Sequence, residues 1–411
     1  MNSETNPETI IVYRNISQIV TMSGVAKNKG RHPTEADLGV VENGAAVVNC
    51  ETNEIIWIGD SASLPNEYQS SANTKSCEGM IWLPELVECH THLVFDGPRH
   101  HDYALRSAGK SYQEVAAEGG GIQSTLKFTR EATEQSLIDK ALIDLDRFQE
   151  FGVGVVETKS GYGLTLEQEL KLLKCVEEIR HRTPVIVIST FMPAHMTPPE
   201  FKGRTADYVK EICDNWIPEV AKKKWATFFD VFVEDGYFNI EQSRKLCETA
   251  IEFGFGIKLH VDQFTDLGGA KLGVELGATS IDHLDHTSPE SVKIVGASDT
   301  VAVLLPGASL YTGTPYPPAR ALIDAGAKVA LSTDFNPGTC PSRNLPLMTT
   351  LACSQMKMTI AEALAGITYN AAAAVGLEDK MGSLEQGKQF RVCQFPGTSY
   401  EVLPYCFGEL V

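Results

Sequence analysis

At 411 residues, 43% hydrophobic and 21% charged, the chain has an ordinary globular composition and the length of a barrel of roughly 250 residues with a smaller satellite. Its formal net charge of −18 argues against nucleic-acid partners, and no apolar run approaches the ~18 residues that span a bilayer. Ten cysteines without a CxxC pair, and a start with no basic stretch before an apolar core, point to reduced thiols, no signal peptide and a cytoplasmic location.

Along the chain, residues 10–13, 44–48 and 55–58 are short β-type runs divided by Gly, Asn, Asp and Pro turns. The tail resumes that character at 382–387 and 391–395. The two ends, 1–79 plus 376–411, are therefore expected to form one small β-sandwich-like domain.

From residue 80 the pattern changes. The apolar stretch 80–87 ends in His90-Thr91-His92. On a strand, residues i and i+2 share a face, so these imidazoles can hold one ion together; a pair of surface histidines is the plainer reading. Cys89 falls on the opposite face. Strand-like runs follow at 154–157, 185–190, 230–234, 257–261, 280–283, 301–305 and 329–333, and with 86–90 they make eight. Helical spacing occupies 136–150, 165–180, 207–220, 240–253, 269–276 and 317–325 between them. Such alternation predicts an α/β fold, a (β/α)8 TIM-type barrel over 80–375, carrying the small β domain built from both termini. An open doubly wound sheet is disfavoured, because Gly119-Gly120-Gly121 follows no strand and lacks the phosphate-turn spacing.

In such a barrel the chemistry sits at the C-terminal strand ends. Those ends carry His90 and His92, then Glu157 with Lys159, His195, Glu234, His260 with Gln263, Asp282-His283, and Asp334. Three imidazoles and a carboxylate, His90, His92, His260 and Asp334, are expected to bind a metal ion, Zn²⁺ or Fe²⁺/Fe³⁺, which would lower the pKa of a coordinated water. A structural zinc would more often recruit closely spaced cysteines. His283 is read as a group that polarises a carbonyl or moves protons, with a hydrogen-bonded core histidine as the alternative.

These segments resemble the amidohydrolase superfamily and, within it, the imidazolonepropionase family, over about residues 82–388. The likeness is carried by 90–95 with Arg99, 111–112, 119–125 with 129–130, 159–164, 258–263, 282–284, 303–306 and 333–338. The resemblance implies hydrolytic opening of the 4-imidazolone-5-propionate ring to N-formimino-L-glutamate, a step in histidine degradation, by a homodimer with one metal per subunit. Arg99 suits the substrate's propionate, since its fork matches a carboxylate, although a surface loop salt bridge would use the same residue. The resemblance also assigns Tyr112, Tyr162 and His195 to the substrate pocket, with Asn336 and Gly338 of the Asp334–Gly338 motif. Three departures stand out. Gln263 replaces a glutamate found in some members, leaving proton transfer to Asp334 with His283; Glu85 stands in place of the usual glycine of Pro-Gly-Leu-Val; and 389–393 lacks a common acidic residue. Alternative readings are an aminohydrolase of a purine or triazine ring, a two-metal enzyme using Lys159 as bridge, and a non-catalytic metal-binding barrel.

Overall fold

The computed structural model describes residues 9–110, 114–115 and 118–409. Strands arise in two ways in this chain, by mixed apolar and polar runs at the ends and by unbroken apolar runs in the middle. The first kind gives β1 (Ile10–Val20), β2 (Val40–Asn49), β3 (Glu54–Asp60), β4 (Thr74–Ser76), β5 (Met80–Pro84) and, near the C-terminus, β14 (Val392–Pro396). These six join in the order β14-β5-β1-β2-β3, with β4 paired to β1. Ile10, Val12, Ala45, Val47 and Leu64 cluster together, while Ile16, Ile19, Ala46, Ile55, Trp82 and Leu384 form a second cluster.

Two features differ from the sequence-based expectation. The small domain is one hydrogen-bonded sheet with an apolar cluster on each face, rather than two facing sheets. Met80–Pro84 does not begin the barrel but pairs with β1 and β14. The apolar stretch 80–87 is continuous because it serves two sheets in succession, and the change of sheet falls at Glu85, whose carboxylate pairs with Arg391.

The second kind of strand builds the barrel. β6 (Leu86–Glu88), β7 (Val153–Lys159), β8 (Ile186–Ala194), β9 (Phe228–Val233), β10 (Gly256–Val261), β11 (Ser280–His283), β12 (Val301–Leu304) and β13 (Lys328–Leu331) follow one another in an eight-stranded sheet. Neighbours are parallel throughout, and nearly every residue is buried, as both-face burial demands. Helices alternate with them and start at side-chain caps: Thr133, Thr165, Asn239 and Ser288 each accept an amide hydrogen from the third helical residue. The Ser288-capped helix, Pro289–Gly296, adds to the helices expected from spacing; it is only eight residues long, too short for a clear period.

The barrel closes at a seam. Between β13 and β6 no ladder forms among the described residues; a single parallel bridge joins Thr91 to Phe335, and His92 N–H donates to the Phe335 carbonyl at 2.9 Å. Buried Glu88 completes the junction. Its carboxylate accepts from the Thr333 amide at 3.2 Å, the His90 amide at 3.3 Å and the Ser332 hydroxyl. The two parts of the molecule are also tied at the N-terminal ends of β12 and β13 by Arg31, which donates to the carbonyls of Gly296, Gly326 and Ser298, and by Asn370, which donates to those of Gly30 and Val329.

Candidate metal centre and substrate cavity

Strand register gathers the histidines. β6 and the turn after it deliver His90 and His92; β10 delivers His260, β11 His283, and the turn after β13 Asp334. Ligand atoms of His90, His92 and Asp334 lie within 4.8 Å of one another, as do those of His90, His260 and His283. His90 Nε2 is 3.4 Å and His92 Nε2 3.9 Å from Asp334 Oδ1, and the Nε2 atoms of His92 and His260 are 3.4 Å apart. All five side chains are buried.

The opposite ring nitrogens are already engaged. His90 Nδ1–H donates to Asp282 at 2.7 Å and His260 Nδ1–H to Asp230 at 3.0 Å. Carboxylates only accept, so each ring carries its proton on Nδ1 and turns a bare Nε2 toward the cluster. His90 Nε2 is buried with no protein hydrogen-bond partner. Below these carboxylates lie two buried ammonium groups. Lys159 is 2.9 Å from both Glu157 and Asp230 and 3.6 Å from Asp282; Lys258 is 3.7 Å from Asp282. Lys159 therefore neutralises the carboxylates that aim the imidazoles, which leaves it no geometry for bridging two ions.

Electrostatics match a cation-binding role. Burial, reinforced by neighbouring cationic groups, lowers the His90, His92 and His260 pKa values well below the ordinary histidine range, keeping their lone pairs free. Burial raises Asp334 to about 6, against the opposing pull of His283. For His283 burial pushes downward, but Asp285, 3.6 Å away, and the charges of Asp334 and Asp282 outweigh it, and its pKa stands above the ordinary value. Neutral nitrogen donors with fixed tautomers and one carboxylate fit a divalent ion.

Beside the cluster is a cavity of about 40 Å³, room for water, walled by Arg99, Tyr162, His195, Phe232, Gln263 and Asn336 among others. Arg99 is buried and held by Asp102, which accepts from its Nε at 2.8 Å and from the Gly121 amide at 2.9 Å. Asp334 Oδ2 accepts from the Thr339 hydroxyl at 2.9 Å, and Asn336 folds that turn by donating to the Asp334 carbonyl and accepting from the Gly338 amide. Gly338 is not among the cavity's lining residues; it lies against the Arg99 guanidinium, which a Cβ would strike. Tyr112 lies outside the described residues. Cys89, on the other face of its strand, packs with Val87 and Val155.

The histidines and Asp334 are legible in the sequence as strand-end groups; the parts played by Asp230 and Lys258 emerge only in the structure. Their signal is a charge inside an otherwise apolar strand, at Phe228–Val233 and Gly256–Val261. Glu234 also gains its role only here: its carboxylate accepts from the amides of Phe264 and Thr265 and so holds the turn that presents Gln263.

Residues 81–393 match the amidohydrolase family. The chain is 43% identical over 401 residues to an imidazolonepropionase of Bdellovibrio bacteriovorus, covering 97% of this chain and 93% of that one. It is 40% identical to the imidazolonepropionase of Fusobacterium nucleatum, covering 97% and 95%. In fold it is similar to an atrazine chlorohydrolase of Arthrobacter aurescens solved with zinc, at TM-score 0.68 and 15% identity over 94% of this chain and 87% of that one. An adenosine deaminase of Xanthomonas campestris with bound zinc gives TM-score 0.64 and 16% identity over 94% and 84%. Both likenesses concern the barrel and its appended sheet.

Proposed function

Since the chain belongs to the amidohydrolase family and, within it, to the imidazolonepropionases, we propose that it hydrolyses the ring of 4-imidazolone-5-propionate to N-formimino-L-glutamate, a step of histidine degradation. The observation that carries this reading is the convergence of bare, buried imidazole nitrogens on Asp334 beside a buried arginine. A divalent ion, zinc or iron, held by His90, His92, His260 and Asp334 supplies the Lewis acidity that activates water and polarises the ring carbonyl.

The chain's own groups do the rest. Arg99, fixed through Nε by Asp102, offers its guanidinium to the propionate. Tyr162 and His195 wall the planar ring. The Asp334 carboxylate takes the proton of the attacking water and passes it to the departing ring nitrogen. His283, whose neighbouring carboxylates favour its protonated form, donates to the developing oxyanion. Its ring reaches His90 and His260 as closely as the other donors do, and its approach to Asp285 is what favours proton work over ligation. Gln263 has no titrating group in range and orients water or substrate.

The test is loss of ultraviolet absorbance of freshly generated imidazolonepropionate, with Asp334→Ala alongside. Rapid loss with the wild type and none with the variant supports the assignment; a folded, metal-loaded wild type without turnover rules out this substrate. Elemental analysis of purified protein separates zinc from iron. We assign a cytoplasmic location, which ten free cysteines suit, and a homodimer. The dimer reading rests on an apolar face: Leu310 and Tyr311 edge a groove with Asn344 and Leu347, which also contact the tail near Gly408, and Leu310, Tyr405 and Phe407 are exposed. Sedimentation of the wild type and Phe407→Asp checks it, the variant being expected as monomer.

A further inference from the structure

The helix Leu166–Arg180 starts just after the turn that carries Tyr162, and its Glu169 is fully buried although no cation pairs with it among the hydrogen bonds and ion pairs described. A carboxylate in that position is costly unless donors surround it. Here the donors are the Ser160 hydroxyl and three backbone amides: Gly161 at 3.1 Å, Gly163 at 2.9 Å and Leu164 at 2.8 Å. The turn they shape is otherwise unfavourable, with Leu164 at φ 52 and Gly161 at φ 99. Gly161 admits no side chain, because a Cβ would meet the Met192 carbonyl and His195 Nδ1. Its own carbonyl lies 3.1 Å from His195 Nδ1.

Gly161 is thus gripped at both backbone groups, its N–H by Glu169 and its C=O by His195. A carbonyl only accepts, so the proton of a neutral His195 sits on Nδ1 and Nε2 is bare. His195 stands in the cavity wall, its ring stacked on His92 at 5.0 Å and 17°. We propose that Glu169 is a positioning residue that acts through Gly161 to fix the tautomer and orientation of His195, so that the cavity presents a bare Nε2 and selects a ligand offering an N–H there. The identity of that donor rests on the imidazolone reading, whose ring N–H would meet it; the tautomer does not.

Two measurements test this. In zinc-loaded enzyme with ¹⁵N-labelled histidine, the His195 ring signals, assigned by their loss in His195→Gln, should show a protonated Nδ1 and a bare Nε2. A protonated Nε2 overturns the proposal whatever the substrate. The second is a cycle of Glu169→Gln, His195→Gln and the double variant on imidazolonepropionate. The Gln amide would face the Gly161 N–H with a donor of its own, so KM should rise about tenfold with kcat within about threefold, the mark of a lost binding hydrogen bond. In the His195→Gln background the same change should have no further effect. An equal rise in both backgrounds, or parallel loss of kcat in both, makes Glu169 a loop staple only and overturns the proposal. Should Glu169→Gln not fold, the ring-nitrogen signals of the wild type still decide. Failure of wild-type turnover would remove the imidazolone reading, and the same signals would then settle the tautomer of His195 by themselves.

Discussion

A single methyl group separates a working carboxylate fork from a displaced one at Gly338. Alanine there would press its Cβ into the Arg99 guanidinium, so Gly338→Ala is expected to raise KM about tenfold while leaving the melting temperature nearly unchanged. Arg99→Met removes the cation and should raise KM by about a hundredfold or more, with the smaller effect on kcat, as steady-state kinetics on the two variants would show. Gln263→Glu tests the proton route: with Asp334 and His283 carrying it, kcat should stay within about threefold, whereas a glutamate that speeds turnover would show proton transfer had been limiting. His195 carries a pH prediction of its own. Burial holds its pKa at about 4 against an ordinary 6.5, so as pH falls the unfolded chain is protonated first. Its contribution is complete above pH 6.5 and is lost between there and about 4, at about 1.4 kcal/mol per pH unit. Urea unfolding of wild type and His195→Gln over that range reads the difference; parallel slopes would contradict it. Strand-end histidines are legible in the sequence because a period of two and a fold class together place them. The supporting role of Gly338 is not, since nothing in Asp-Phe-Asn-Pro-Gly tells which side of the turn an arginine will occupy.

At the level of elements, the seam between β6 and β13 is the weak junction of the barrel, because side-chain hydrogen bonds replace a ladder. Glu88→Ala would strand the buried amides of Thr333 and His90, while the Ser332 hydroxyl keeps the His90 carbonyl, at 3.2 Å, as its acceptor. At about 1–3 kcal/mol for each unpartnered group, a fall of several degrees in melting temperature is expected, with reduced metal content, since the same turns carry His90, His92 and Asp334. Calorimetry with metal analysis checks both; a stable, fully loaded Glu88→Ala would show that the bridge at Thr91 and Phe335 suffices. The eight strands are readable as apolar runs between turn residues. The seam is not, because Glu88 resembles any charged residue at a strand end until its partners across the barrel are known.

Across the whole molecule, the terminal sheet and the barrel share one apolar cluster, which takes in Val20, Ile81 and Leu83 beside the barrel strands, and the contacts of Arg31 and Asn370 add polar ties at the N-terminal ends of β12 and β13. Combining Arg31→Ala with Asn370→Ala should broaden or split the calorimetric transition while leaving KM unaltered; a single sharp transition would show that the remaining contacts suffice to couple the two parts. That both termini build one sheet can be read from composition, but the crossover at Glu85 cannot, because an apolar run does not announce which of two sheets receives it. The seam has one more consequence. Glu88 and Ser332 are 244 positions apart in the chain, and the proposed ligands flank them on either side. An ion joining His90 and His92 to Asp334 would then behave as a removable cross-link over that span, restricting the unfolded ensemble as a long-range disulfide does. Chelation would be felt first as unlatching: hydrogen exchange at the Thr333 and His92 amides should quicken well before the helices loosen, making the catalyst also the clasp of its own barrel.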